Sequence, residues 1–239
     1  MQPVDYTETF FRGRAQREKF EVLAQRNMAM TIYYDGLTMD SLGIHDSVLF
    51  LFNQLGWENV AIRRRFVTYR ELTLEFLSSL VYIPDHGYGS NAGLIIFRLF
   101  GNNYTFSRRD LADILGFPSG PFVFTTTQEE LMDIELNYFW GSLTGNNHPE
   151  PNDMHSDEIH NHVIHYFHKI LAHTLFGKEE NNTLVSKDEL FIIYCASQGR
   201  PVNAVTFMME TFSSIAQEPN TPIIMGGLVT MIADDIGLR

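Results

Sequence analysis

The chain has 239 residues, 44% hydrophobic and 13% aromatic, which is enough apolar material for a substantial core and too much for a disordered chain. Its formal net charge of −12 repels nucleic acid unless the basic residues cluster. A single cysteine, Cys195, excludes an intrachain disulfide and a zinc knuckle, and the apolar runs fall far short of the roughly 20 residues that span a membrane. With no secretory signal pattern at the N-terminus, the expectation is a soluble intracellular protein of cytoplasm or nucleus.

In chain order, residues 1–40 read as a partly mobile N-terminal arm. It holds one short amphipathic helix, in which Phe20, Val22 and Leu23 sit among Arg14, Arg17, Lys19 and Arg26. Residues 41–239 read as a helical domain. Val48, Leu49, Phe52 and Leu55 recur at helical spacing and stop at Gly56. Thr68 and Glu71 form a capping box that opens a helix to Val81. A glycine-rich loop, 84–93, leads to a strand over Leu94–Leu99. Gly101-Asn102-Asn103 reverses the chain into a return strand, Tyr104–Phe106. Ser107 and Asp110 form a second box, Leu111, Ile114 and Leu115 make one apolar stripe, Gly116 ends the helix and Pro118 forbids its resumption.

Thr127 and Glu130 open a further helix to about Leu143, with Leu131, Ile134, Tyr138 and Leu143 as its buried side. The loop 145–153 is the place for a seam if two subdomains exist. Ser156 caps a long helix to Phe176, and Gly177 ends it. Ser186 and Glu189 open the next, which Gly199 and Pro201 close. Another runs from Val202 to Ala216, and Thr221-Pro222 starts the last. The fold class is therefore mainly α, a helical globular domain with one small β-hairpin at about residues 94–106.

The stretch Gly93–Pro121 carries a family likeness. Asp110-Leu111-Ala112-Asp113-Ile114-Leu115-Gly116-Phe117-Pro118 resembles the hairpin–helix signature of the ORF-1 proteins of Athila-type plant retrotransposons, and more distantly the plant mobile domain. The signature positions are Asp110, Leu111, Gly116 and Pro118. Gly56-Trp57, the run Tyr69–Leu77, Phe97–Phe100, Asp188–Leu190, Arg200–Asn203 and Gly226–Leu228 match the same pattern in order, so the likeness covers roughly residues 40 to 238. It implies a retroelement origin and brings no catalytic motif.

Six histidines, His155, His160, His162, His165, His168 and His173, lie within 19 residues. Histidine is the commonest metal ligand, which makes His162, His165 and His168 the candidate metal ligands. At 100° per residue they spread over about a third of a helix circumference, and zinc needs three or four converging groups. A solvated polar face is the favoured reading. Arg63, Arg64, Arg65, Arg108 and Arg109 are the candidate phosphate-binding residues, against the bland alternative of helix-end solvation. No catalytic residue and no cofactor is assigned. These readings converge on a non-enzymatic interaction or self-assembly module whose partner is another protein or a second copy. The alternatives are a nucleic-acid-binding module and a metal-dependent enzyme on the histidine helix.

Overall fold

The computed structural model describes residues 11–60, 65–84, 93–120, 123–124, 130–146, 149, 153–219 and 221–238, without the side chains of 130–133. Four helices open the chain: α1 (Arg14–Ala24), α2 (Gly36–Ser41), α3 (His45–Gln54) and α4 (Arg70–Ser79). Three strands follow, β1 (Val81–Ile83), β2 (Leu94–Leu99) and β3 (Asn102–Ser107). Then come α5 (Arg108–Leu115), α6 (Glu130–Thr144), α7 (His162–Ile170), α8 (Lys187–Ser197), α9 (Val205–Gln217) and α10 (Gly226–Asp235). The mainly α class stands, and the strands form one antiparallel sheet in the order β1-β2-β3.

The hairpin is therefore part of a three-stranded sheet. Sequence periodicity carries α4 on to Val81, but the helix stops at Ser79 and runs straight into β1. In its last turn the hydroxyls of Ser78 and Ser79 bond back to the Glu75 carbonyl, while Ser79 Oγ accepts the amide of Arg98. Such side-chain bonds compete with helix continuation. The reversal also lies earlier than its composition suggests. Leu99 pairs with Asn102, so Phe100 and Gly101 form the two-residue turn, both with positive φ (50° and 75°). Asn102 and Asn103 belong to β3. The reason lies outside the hairpin: the buried carboxylate of Glu75 accepts the amides of Phe100 and Gly101 at 2.8 Å each.

Three local expectations shift. Thr68 does not cap α4, whose N-cap is Tyr69 with no side-chain cap bond, because Thr68 is packed over Gly226. Thr127 lies outside the described residues, and the buried side of α6 is Leu136, Trp140 and Leu143. Ile134 and Tyr138 are exposed, Tyr138 by 73%. Ser156 opens only a single 3₁₀ turn; α7 begins at His162, where Asn161 Oδ1 accepts the amides of Val163 and Ile164, and a wide π turn, Leu171–Leu175, continues it. The boxes at Ser107–Asp110 and Ser186–Glu189 form as read, and Gly116 takes the left-handed conformation at φ 75°.

One hydrophobic cluster runs from Phe20 to Ala233. Phe52 and Phe167 meet edge to face at 5.2 Å, and Phe76 joins Phe97 at 4.8 Å and Phe212 at 5.1 Å. Trp57 is buried with its indole N–H on the Val202 carbonyl at 2.6 Å. The early chain is stitched to the late chain by polar bonds. Ala29 N donates to Ile223 O (3.0 Å), and Ile223 N donates to Asn27 O (2.9 Å). The Arg26 guanidinium reaches the carbonyls of Thr221 and Ile215, and Thr31 Oγ1 bonds to Ile224 O. Loop 145–153, the conceivable seam, lies partly outside the described residues; Leu143 before it and Ile159 after it share the common cluster. Among the described residues no helix is long and apolar enough to cross a membrane.

Candidate functional site

The histidines separate into different environments. His160 and His162 are exposed and His165 is partly buried, but His168 and His173 are buried, contrary to a wholly solvated face. Helix α7 is packed by both α3 and α8, so more than its Phe167–Ile170–Leu171 stripe is covered. Among the described residues no group of three or more His, Cys, Asp or Glu side chains could hold a metal ion. His162, His165 and His168 do not form such a group.

His168 instead meets an acid. Its Nε2 lies 3.5 Å from Glu189 Oε2, with both side chains almost wholly buried. The same oxygen accepts the Lys178 ammonium and the Ser186 amide, each at 2.6 Å. Burial works to raise the Glu189 pKa, but the His168 contact and the Lys178 charge prevail and hold the carboxyl below its ordinary range. His173 Nδ1 donates to the Lys178 carbonyl at 3.1 Å, and burial pushes its pKa down. Sequence spacing exposes Glu189 as a cap; its second role as counter-ion depends on Lys178 and His168 arriving from other segments. This cluster fastens the 173–178 turn to α8.

The candidate arginines that are described, Arg65, Arg108 and Arg109, belong to two separate parts of the chain. Arg63 and Arg64 lie outside the described residues. Arg65 donates to the Tyr34 carbonyl at 3.2 Å and lies 3.6 Å from Asp35. Arg108 and Arg109 open α5, following β3. The signature residues have a packing role. Asp110 closes the box with Ser107, whose hydrogen bonds hold its carboxyl below the usual range, and Leu111 is buried. A Cβ at Gly116 would come within 2.7 Å of the Asn59 carbonyl, and Pro118 rests against Gly56. Phe117 meets Trp57 edge to face at 5.2 Å. The signature thus seats the end of α5 on the turn after α3.

What the molecule does display is an apolar face. Residues 30–33 and 65–69 run extended and alternate in burial. Thr31, Tyr33, Phe66 and Thr68 turn inward onto the start of α10, where a Cβ on Gly226 or Gly227 would collide with them. Met30, Ile32, Val67 and Tyr69 consequently turn outward and are exposed. The Arg65 contacts tie the second segment to Tyr34 and Asp35, beside Leu37, which is 81% exposed. With Leu42, which follows α2, and Phe50 of α3, residues 30–69 contribute seven of the fourteen large exposed hydrophobics among the described residues. That concentration is more than scattered surface apolar residues require. No sequence periodicity points to it, because these segments are neither helix nor ladder strand.

This arrangement, helices around a small antiparallel sheet with an apolar face and no grouped metal-binding side chains among the described residues, defines a mainly α class of protein. A family model described as the ATHILA ORF-1 family matches residues 11–199, and the chain belongs to that family. It is a retroelement-derived protein. The match begins well before residue 40, and Gly226–Leu228 lies beyond it. No curated protein and no solved structure matches the chain.

Proposed function

We propose that the protein is a non-enzymatic module of its retroelement that acts by associating with a second copy of itself through the face formed by Met30, Ile32, Leu37, Val67 and Tyr69. The observation that carries this reading is the outward display of large apolar side chains by two extended segments whose inward residues are fixed against Gly226 and Gly227. Burial of such a face on a partner releases about 25 cal/mol per Å² of apolar area. Aromatic residues such as Tyr69 are favoured anchors at interface centres.

Sedimentation velocity over a range of concentrations tests it. The wild type is expected to show a concentration-dependent dimer or larger species. Val67→Glu with Tyr69→Glu is expected to be monomeric with an unchanged far-UV spectrum. A wild-type chain that stays monomeric at high concentration, or a double variant that associates equally well, would falsify the proposal.

A further inference from the structure

A cavity of about 210 Å³ lies between α1 and the sheet. Arg12, Gln16 and Lys19 enter it from α1 and its lead-in, Arg98 from β2 and Asn103 from β3, with Ser78 and Ser79 at its base. Its charged lining is cationic: among the described residues no carboxylate lines it. Three acids of the adjoining helices α1 and α4 are engaged elsewhere. Glu18 pairs with Arg14, Glu21 with Arg17, and Glu75 holds the Phe100–Gly101 turn.

Two donors of the lining side chains have no hydrogen-bond partner among the described residues. Gln16 is buried; its Oε1 accepts the Arg12 amide at 2.8 Å, and its Nε2 is left unmet. Arg98 gives Nη2 to the Gly101 carbonyl at 2.6 Å, and its buried Nε is left unmet. Buried donors without acceptors are costly, so each such case in a native fold asks for an explanation. Burial also lowers the pKa of the Lys19 ammonium. In a chain of net charge −12, three cations line one small space with no carboxylate among the described residues, an arrangement suited to an anion.

We propose that this cleft binds a terminal phosphate, held by Arg12, Lys19 and Arg98, with Gln16 Nε2 as a further donor. A phosphate monoester at neutral pH carries close to two negative charges and three acceptor oxygens, which suits three cations and one further donor better than a single carboxylate does. Guanidinium groups match its geometry by their planar fork. The cavity is smaller than pockets that enclose drug-sized ligands, so it takes the phosphate and the first atoms of its ester. A small phosphate ester and the 5′ end of a nucleic acid share this chemistry.

Thermal unfolding and calorimetric titration of the full chain with inorganic phosphate, against chloride at equal ionic strength, provide the test. Phosphate is expected to raise the midpoint saturably. Lys19→Met is expected to bind it about tenfold more weakly, in line with loss of one charge-assisted bond. Gln16→Glu keeps the acceptor for Arg12 and places an anion in the cleft, so it is expected to raise the midpoint in phosphate-free buffer and abolish the phosphate response. A nucleoside 5′-monophosphate that outcompetes inorganic phosphate would assign a small ester. Competition by a 5′-phosphorylated oligonucleotide and not by its 5′-hydroxyl counterpart would assign a nucleic-acid end. The proposal is overturned if phosphate does no more than chloride, if both variants respond as the wild type, or if the 5′-hydroxyl oligonucleotide competes equally.

Discussion

Glu75 shows how one side chain fixes a turn that its own residues do not prefer. A non-glycine at φ 50° is uncommon, and here two charge-assisted bonds from Glu75 hold it. Glu75→Gln leaves one of those amides facing a second donor, and a loss of about 2–3 kcal/mol in urea unfolding is expected. The buried polar cluster gives a pH dependence of definite sign. His173 has a folded-state pKa below its ordinary value near 6.5. The unfolded chain therefore takes up the proton first, and stability falls as pH drops below about 6.5. Its field includes His168, Lys169 and Glu180, and His173→Gln is expected to flatten the fall in urea midpoint between about pH 7 and 5.5. Glu189, also depressed, contributes stability that is present above the ordinary carboxylate range and is lost as pH falls through its lower folded-state value. Cys195 is buried and its thiol is pushed up to about 12. An aromatic disulfide reagent is expected to leave it unmodified in the native protein and to titrate it fully in denaturant.

At the level of elements, the Gly226-Gly227 pair that opens α10 is a packing device. Neither glycine has a left-handed φ, so helix propensity alone predicts that alanine would gain roughly 1 kcal/mol. Packing predicts the reverse. A methyl at position 227 would collide with Tyr33 Oη and lie 2.9 Å from the Phe66 carbonyl. The expected outcome for Gly227→Ala is a net loss of about 2–3 kcal/mol in equilibrium unfolding, because overpacking of this kind outweighs propensity. The elements legible in the sequence are those whose signals are local. Ser107 with Asp110, Ser186 with Glu189, and Gly116 each satisfy their own helix end, so spacing alone reveals them. Strand β1, the Phe100–Gly101 turn and the face of α6 were not legible. Each is decided by a partner elsewhere: Ile96 for Val81, Glu75 for the turn, Tyr194 edge to face with Phe139 for α6. The candidate face was hidden for the same reason, since its outward residues are defined by glycines some 160 to 195 positions later.

Across the whole molecule, the stitches between residues 26–31 and 215–224 join early chain to late chain, with backbone carbonyls as the acceptors. Arg26 is buried with its guanidinium on two such carbonyls, and Arg26→Met would leave both without their donor. A loss of about 3 kcal/mol and faster proteolysis within 26–35 and 215–224, ahead of the rest, are expected.

That long-range closure also sets an order of events during synthesis. When Arg26 leaves the ribosome, the carbonyls it will grip have not been made, and at about 5–20 residues per second they follow some 10–40 s later. Through that interval Phe20 and Leu23 have α4 to lean on, but Thr31 waits for the Ile224 carbonyl. A nascent chain stalled short of residue 215 should therefore remain bound to chaperones, and release should coincide with emergence of the final helix.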